Sequence, residues 1–186
     1  MPTKFPLLLR LLHWLMAIMI LAMLAIGIAM VSSLAYYHDL VSIHRPLGIL
    51  ILALVAIRLV VRLSRPAPPL PRDMPRLMRF AAHASHWVLY GLLFALPLAG
   101  WAMLSAAGYP IVLYGSLHLP AIMPHSDGLY AILRPLHTLL AFALFAAFLA
   151  HFGAALAHGL IFRDGVLQAM TFGRARAPSA DPTRQI

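Results

Sequence analysis

Residues 133 to 162 read LRPLHTLLAFALFAAFLAHFGAALAHGLIF, and the interpretation of this stretch decides the fold. A bilayer's hydrocarbon core takes about 20 apolar helical residues, so the stretch is long enough to cross it. It carries His137, His151 and His158, separated by steps of fourteen and seven. With ~3.6 residues per turn, each step returns to nearly the same side of the helix, and the three imidazoles form one stripe. At ~1.5 Å per residue, His137 and His151 stand roughly 21 Å apart along the axis, which implies two sites at two membrane depths. An imidazole inside a membrane is costly without a partner, so it is a functional hypothesis by default. Near the end of a span it can instead be an interfacial residue reaching water. Ala146, Ala147, Ala150, Gly153, Ala154 and Ala155 around His151 leave room for something flat and large, although close helix packing favours the same small residues.

The rest of the chain has the same apolar character. Its 186 residues are 62% hydrophobic with a mean hydropathy of +0.88, which marks an integral membrane protein. The absence of cysteine removes disulfides, cysteine-ligated iron–sulfur clusters, thioether-attached haem and thiolate catalysis together. The five acidic residues are all aspartates, at 39, 73, 127, 164 and 181. Carboxylate-pair hydrolysis and carboxylate-bridged metal centres are therefore disfavoured. Ten histidines remain as the good metal ligands.

The net charge of +9 reports topology, not nucleic-acid binding. Lys4 and Arg10 precede the first apolar run, and Arg58, Arg62, Arg65, Arg72, Arg76 and Arg79 cluster at and after the end of the second. Arg163, Arg174, Arg176 and Arg184 follow the last, leaving only Arg45 and Arg134 on the other side. This is the positive-inside pattern of an even number of spans with both termini in the cytoplasm. The cations also attract anionic lipid heads.

Four spans are expected, at about 11–31, 44–63, 80–106 and 133–162, within one membrane domain covering residues 1–172. The first apolar run exceeds the ~7 to 15 residues of a signal-peptide core, so it is taken as a span. Pro46 falls in the first turn of the second, where its missing N–H costs nothing. Arg58 and Arg62 near the inner end of that span can snorkel to the cytoplasmic surface. The proline-rich SRPAPPLPRDMPR makes the inner loop, while Pro97 and Gly100 predict a kink in the third span. GYPIVLYGSLHLPAIMPHSDGL, residues 108–129, is too interrupted for a fifth helix and is expected to cap the outer face. Residues 173–186 are expected to be a disordered cytoplasmic tail.

Alternate spans run in opposite directions, so each histidine's depth follows from its distance to its own span end. His44 and His137 fall on the outer side and can meet. His13, His83, His86, His151 and His158 fall on the inner side. A bis-histidine haem needs two facing imidazoles from different helices, and the spacing supplies this twice. A structural zinc or copper site would gather three or four ligands at one point. The inner group is large enough that spacing alone leaves a single inner metal site open.

On these residues the chain resembles the bacterial cytochrome b561 family of four-helix, two-haem membrane proteins. The likeness runs from LLHW through SIHRPLGILILALVAIRLVVRLSRPAPPLP and AAHASHWVLYGLLFALPLAGW to the histidine stripe and the closing FRDGVLQAM. The resemblance implies an all-α bundle of four transmembrane helices in the bacterial inner membrane. It implies two b haems, with His13 and His151 on the inner iron and His44 and His137 on the outer. It also suggests a quinone site near the inner haem, where His158, with Arg79, His83 and His86, would hydrogen-bond a quinone carbonyl or pass protons. These histidines can equally be interfacial, meeting lipid heads or a haem propionate.

Arg45 and Arg134 adjoin the outer ligands in sequence and suit either of two uses, holding the outer propionates or steering an anion inward. His38, His118 and His125 read as surface residues. The expected activity, after the family, is superoxide oxidation at the periplasmic face with electrons passed to ubiquinone. One alternative is a cytochrome b partner of a periplasmic redox protein. Another, of a different class, is a metal or haem transporter using the histidine stripe as a path.

Overall fold

The computed structural model describes residues 4–65, 68–71, 74–115 and 117–172. The expected disorder of 173–186 lies outside the described residues, as does Arg72. Four helices long and apolar enough to span a membrane follow one another: α1 (Leu7–Ser32), α2 (Tyr37–Leu63), α3 (Arg76–Ala106) and α4 (Asp127–Leu156). The 26 residues of α1 extend about 39 Å at ~1.5 Å per residue, more than the ~30 Å of the hydrocarbon core. The lipid-facing sides carry Leu, Ile, Val and Phe, while the interior is a compact cluster of Met16, Ile51, Val55, Tyr90, Leu93 and Leu144 from all four helices. Met16 and Val55 are essentially inaccessible.

The helix ends follow from local chemistry. Pro6 and Pro75 stand just before α1 and α3, where their carbonyls accept from the N–H groups of Arg10 and Arg79 and no donor is wasted. The Ser126 hydroxyl accepts from Leu129 N–H at 3.3 Å and caps α4, with Asp127 complementing the helix dipole in the first turn. α3 is continuous through Pro97 and Gly100. α4 continues as a π-helical turn, Ala157–Phe162, and stops at Arg163, whose φ of 51° is left-handed.

The outer connector adds an element to the expected all-α fold. Two short antiparallel strands, β1 (Ile111–Tyr114) and β2 (Leu117–Leu119), pair Ile111 with Leu119 and Val112 with His118. The cap is tied to α3 by Trp101 Nε1 donating to Pro120 O at 2.9 Å and by Ile122 N donating to Ser105 Oγ at 3.1 Å. His38, His118 and His125 are all exposed, as expected, and His125 also helps to fasten the cap by donating from Nδ1 to Ala106 O at 2.9 Å.

The helices associate as two close pairs, α1 with α2 and α3 with α4, joined mainly where α2 meets α3. α4 makes few close backbone approaches to α1 or α2. The gap left there is where the histidines meet.

Candidate functional site

At the outer level, His44 of α2 and His137 of α4 face one another with ring centroids 6.3 Å apart and planes at 70°. At the inner level, His13 of α1 and His151 of α4 repeat the arrangement at 6.3 Å and 68°. Two imidazole nitrogens each about 2 Å from a shared metal ion place their ring centres about 6 Å apart. Both pairs therefore stand at the separation that a bis-imidazole iron requires, across a gap left open by the backbones. Nδ1 of His44 is buried without a partner, and that of His137 points at the carbonyl of Leu96 without closing a full hydrogen bond.

A cavity of about 250 Å³ adjoins the outer pair, lined by His44, Arg45, Tyr37, Tyr130, Arg134 and His137 among others. The Nε of Arg45 is buried there with no partner. A buried guanidinium nitrogen without an acceptor invites an anionic group, so the donor set fits a haem carboxylate or a small anion. Among the described residues no three or more His, Asp or Glu side chains converge as metal-ion ligands. At the outer level two imidazoles face one another, while at the inner level the ring of His86 joins those of His13 and His151.

A family model described as prokaryotic cytochrome b561 matches residues 4–173. The chain belongs to the prokaryotic cytochrome b561 family. It is similar to cytochrome b561 homolog 2 of Escherichia coli K12, with 35% identity over 85% of this chain and 86% of the relative. It is also similar to the probable superoxide oxidase CybB of Yersinia pestis, with 33% identity over 85% and 90%. A third relative, cytochrome b561 homolog 1 of Escherichia coli K12, is 30% identical over 68% of this chain and 72% of the relative. This cytochrome is thus a multi-pass inner-membrane protein of a b-haem electron-transfer family.

The remaining inner residues of the cytochrome separate into distinct environments. His86 donates from Nδ1 to Ala82 O at 2.7 Å, and its ring stands 5.3 Å from that of His151. His83 is exposed. Arg79, also exposed, donates to the carbonyls of Pro71 and Met74 and braces the inner loop. His158, 8% exposed, lies in the π-helical turn and donates from Nδ1 to Asp164 Oδ2 at 2.6 Å.

Two participants were not anticipated from the sequence. Arg58 does not snorkel: it is 8% exposed, with Nη2 at 3.1 Å from Nδ1 of His13 and its guanidinium over the Tyr90 ring. Its depth, a full turn inside Arg62, was the available signal. Asp164 is the other, one of the chain's five acids, standing six residues after His158. Finally, the turn after α4 closes on the start of α1. Phe5 N donates to Ala169 O at 3.1 Å, Arg10 Nη1 to Thr171 O at 2.9 Å and Trp14 Nε1 to Met170 O at 3.0 Å.

Proposed function

We propose that this cytochrome moves electrons across the inner membrane, taking them from superoxide at the periplasmic face and delivering them to ubiquinone at the inner face. The observation that carries this reading is the duplicated imidazole pair at two depths, with the outer pair opening on a cavity lined by two arginines. His44 and His137 would hold one b haem and His13 and His151 the other. Bound there, each haem supplies a one-electron store that neither imidazoles nor the apolar core can provide.

The protein's own residues do the rest. Arg45 and Arg134 raise the local concentration of an anion arriving from the periplasm, and Arg45 also offers a donor to a carboxylate. The central cluster of Met16, Ile51, Val55, Tyr90, Leu93 and Leu144 keeps water out between the two levels. His158 at the inner end, once protonated, donates from Nε2 to a quinone carbonyl. In balance, two superoxide anions become two dioxygen molecules, and their two electrons with two cytoplasmic protons convert ubiquinone to ubiquinol. The similarity to a probable superoxide oxidase supports the choice of donor.

Stopped-flow mixing of the purified cytochrome with superoxide, with and without ubiquinone, tests the whole reading through the haem absorbance. Rapid reduction by superoxide followed by reoxidation with ubiquinone is expected. No reduction by superoxide, alongside reduction by a periplasmic redox protein, would replace the donor. Absence of a b-type band from the purified protein would overturn the electron-transfer reading itself.

A further inference from the structure

Asp164 and His158 meet only because the end of α4 departs from α-helical geometry. In a regular helix, residues six apart are about 240° apart around the axis and ~9 Å apart along it. Here the π-helical turn Ala157–Phe162 widens the helix, and Arg163 at φ 51° swings the chain back across its end. The Asp164 carboxylate then accepts from His158 Nδ1 through Oδ2 at 2.6 Å and from Val166 N through Oδ1 at 3.2 Å. π-helical turns and left-handed non-glycine residues recur at functional sites.

The consequence is a fixed tautomer. With Nδ1–H committed to a carboxylate, a neutral His158 carries its lone pair on Nε2. Nε2 makes no hydrogen bond among the described residues. The ring of Phe162 lies 5.4 Å away, and the adjoining Leu160 and Ile161 are exposed on the lipid side. A flat, apolar ring with a carbonyl, diffusing in the bilayer, would meet an aromatic surface and an imidazole whose Nε2, once protonated, donates to that carbonyl.

Resting on the quinone reading above, we infer that Asp164 is the positioning residue for His158 in quinone protonation. Nε2 takes a proton from cytoplasmic water and gives it to a quinone oxygen, and Asp164 stays ionised, stabilising the imidazolium. Two such transfers, with the two electrons delivered from the outer face, complete one ubiquinol. No further oxidant or reductant is required.

The test compares wild type, Asp164→Asn, Asp164→Glu, His158→Gln and the Asp164→Asn/His158→Gln double variant, as purified haem-loaded proteins reducing a short-chain ubiquinone. Asparagine keeps an oxygen for Val166 N–H but presents an amide donor to Nδ1, which forces the proton onto Nε2. Asp164→Asn is expected to lower kcat about tenfold, with KM, haem content and thermal midpoint unchanged. Glutamate should recover most of the loss. In the His158→Gln background the asparagine change should add nothing, since the two residues act as one unit. Wild-type turnover in Asp164→Asn, equal losses in both backgrounds, or a loss that merely tracks missing haem would overturn the assignment. A wild type that reduces no ubiquinone would instead remove the quinone reading beneath it.

Discussion

Gly100 of α3 sits directly against the imidazole of His137 of α4: a Cβ built on it would stand 3.0 Å from Cε1 and 3.3 Å from Nδ1. The glycine makes room for the ring. Alanine there forces a shift of a few tenths of an ångström, and valine a larger one, at a cost of about 1–3 kcal/mol for overpacking. Gly100→Val is expected to displace His137 and release the outer haem while the inner stays. Pyridine-haemochrome quantitation against protein concentration measures it.

The four facing histidines should behave as two couples. His44→Ala and His137→Ala are expected to share one phenotype, loss of one haem with the other retained, and His13→Ala and His151→Ala to share the complementary one. Reduced-minus-oxidised spectra at low temperature would distinguish the two proposed haems. Retention of both in either outer variant would refute the outer pairing.

If Arg45 and Arg134 steer an anion, replacing both with Gln should lower the rate of superoxide-driven haem reduction by about tenfold at low salt. The residual rate should then be nearly independent of ionic strength, because the screened attraction is gone. A variant that keeps the salt dependence of the wild type would confine these arginines to holding carboxylates.

Arg58 places a fixed positive charge beside His13 with little solvent around it. A cation favours the reduced, less positive state of a nearby iron, so Arg58→Met is expected to lower the midpoint potential of the inner haem more than that of the outer. Redox titration followed by absorbance resolves the two. Folding should not suffer in proportion, because removing a buried charge that lacks a carboxylate partner also removes its desolvation cost.

Trp14→Phe deletes the donor to Met170 O that helps tie the two ends of the chain together. The expected loss is about 1 kcal/mol, read as a lower thermal midpoint in detergent with an unchanged haem spectrum.

The spans were legible because hydropathy alone locates them, but their beginnings were not. The second and fourth were expected from 44 and 133, whereas α2 starts at Tyr37 and α4 at Asp127. Hydropathy reports what lies in hydrocarbon. Helical hydrogen bonding continues into the polar turns YHDLVSI and SDGLYAI, where Ser126 supplies a cap that the sequence did contain. The β-hairpin was also written in the chain, as the β-prone IVLY and LHL around Gly115, and was passed over because prolines crowd the same connector. The facing of His44 with His137 followed from depth, whereas that of His13 with His151 came from the family resemblance, since depth left five histidines on the inner side. The His158–Asp164 contact came from neither, since it depends on a π-helical turn and a left-handed arginine that no periodicity announces.

Each facing pair draws one imidazole from α4, the last of the four helices to leave the ribosome. Until that segment has entered the bilayer, neither His13 nor His44 has its opposite number, and a porphyrin arriving early would find half a seat. If these pairs hold the pigment as proposed, its insertion waits for α4, and a truncation before residue 137 should yield a colourless, unfinished bundle.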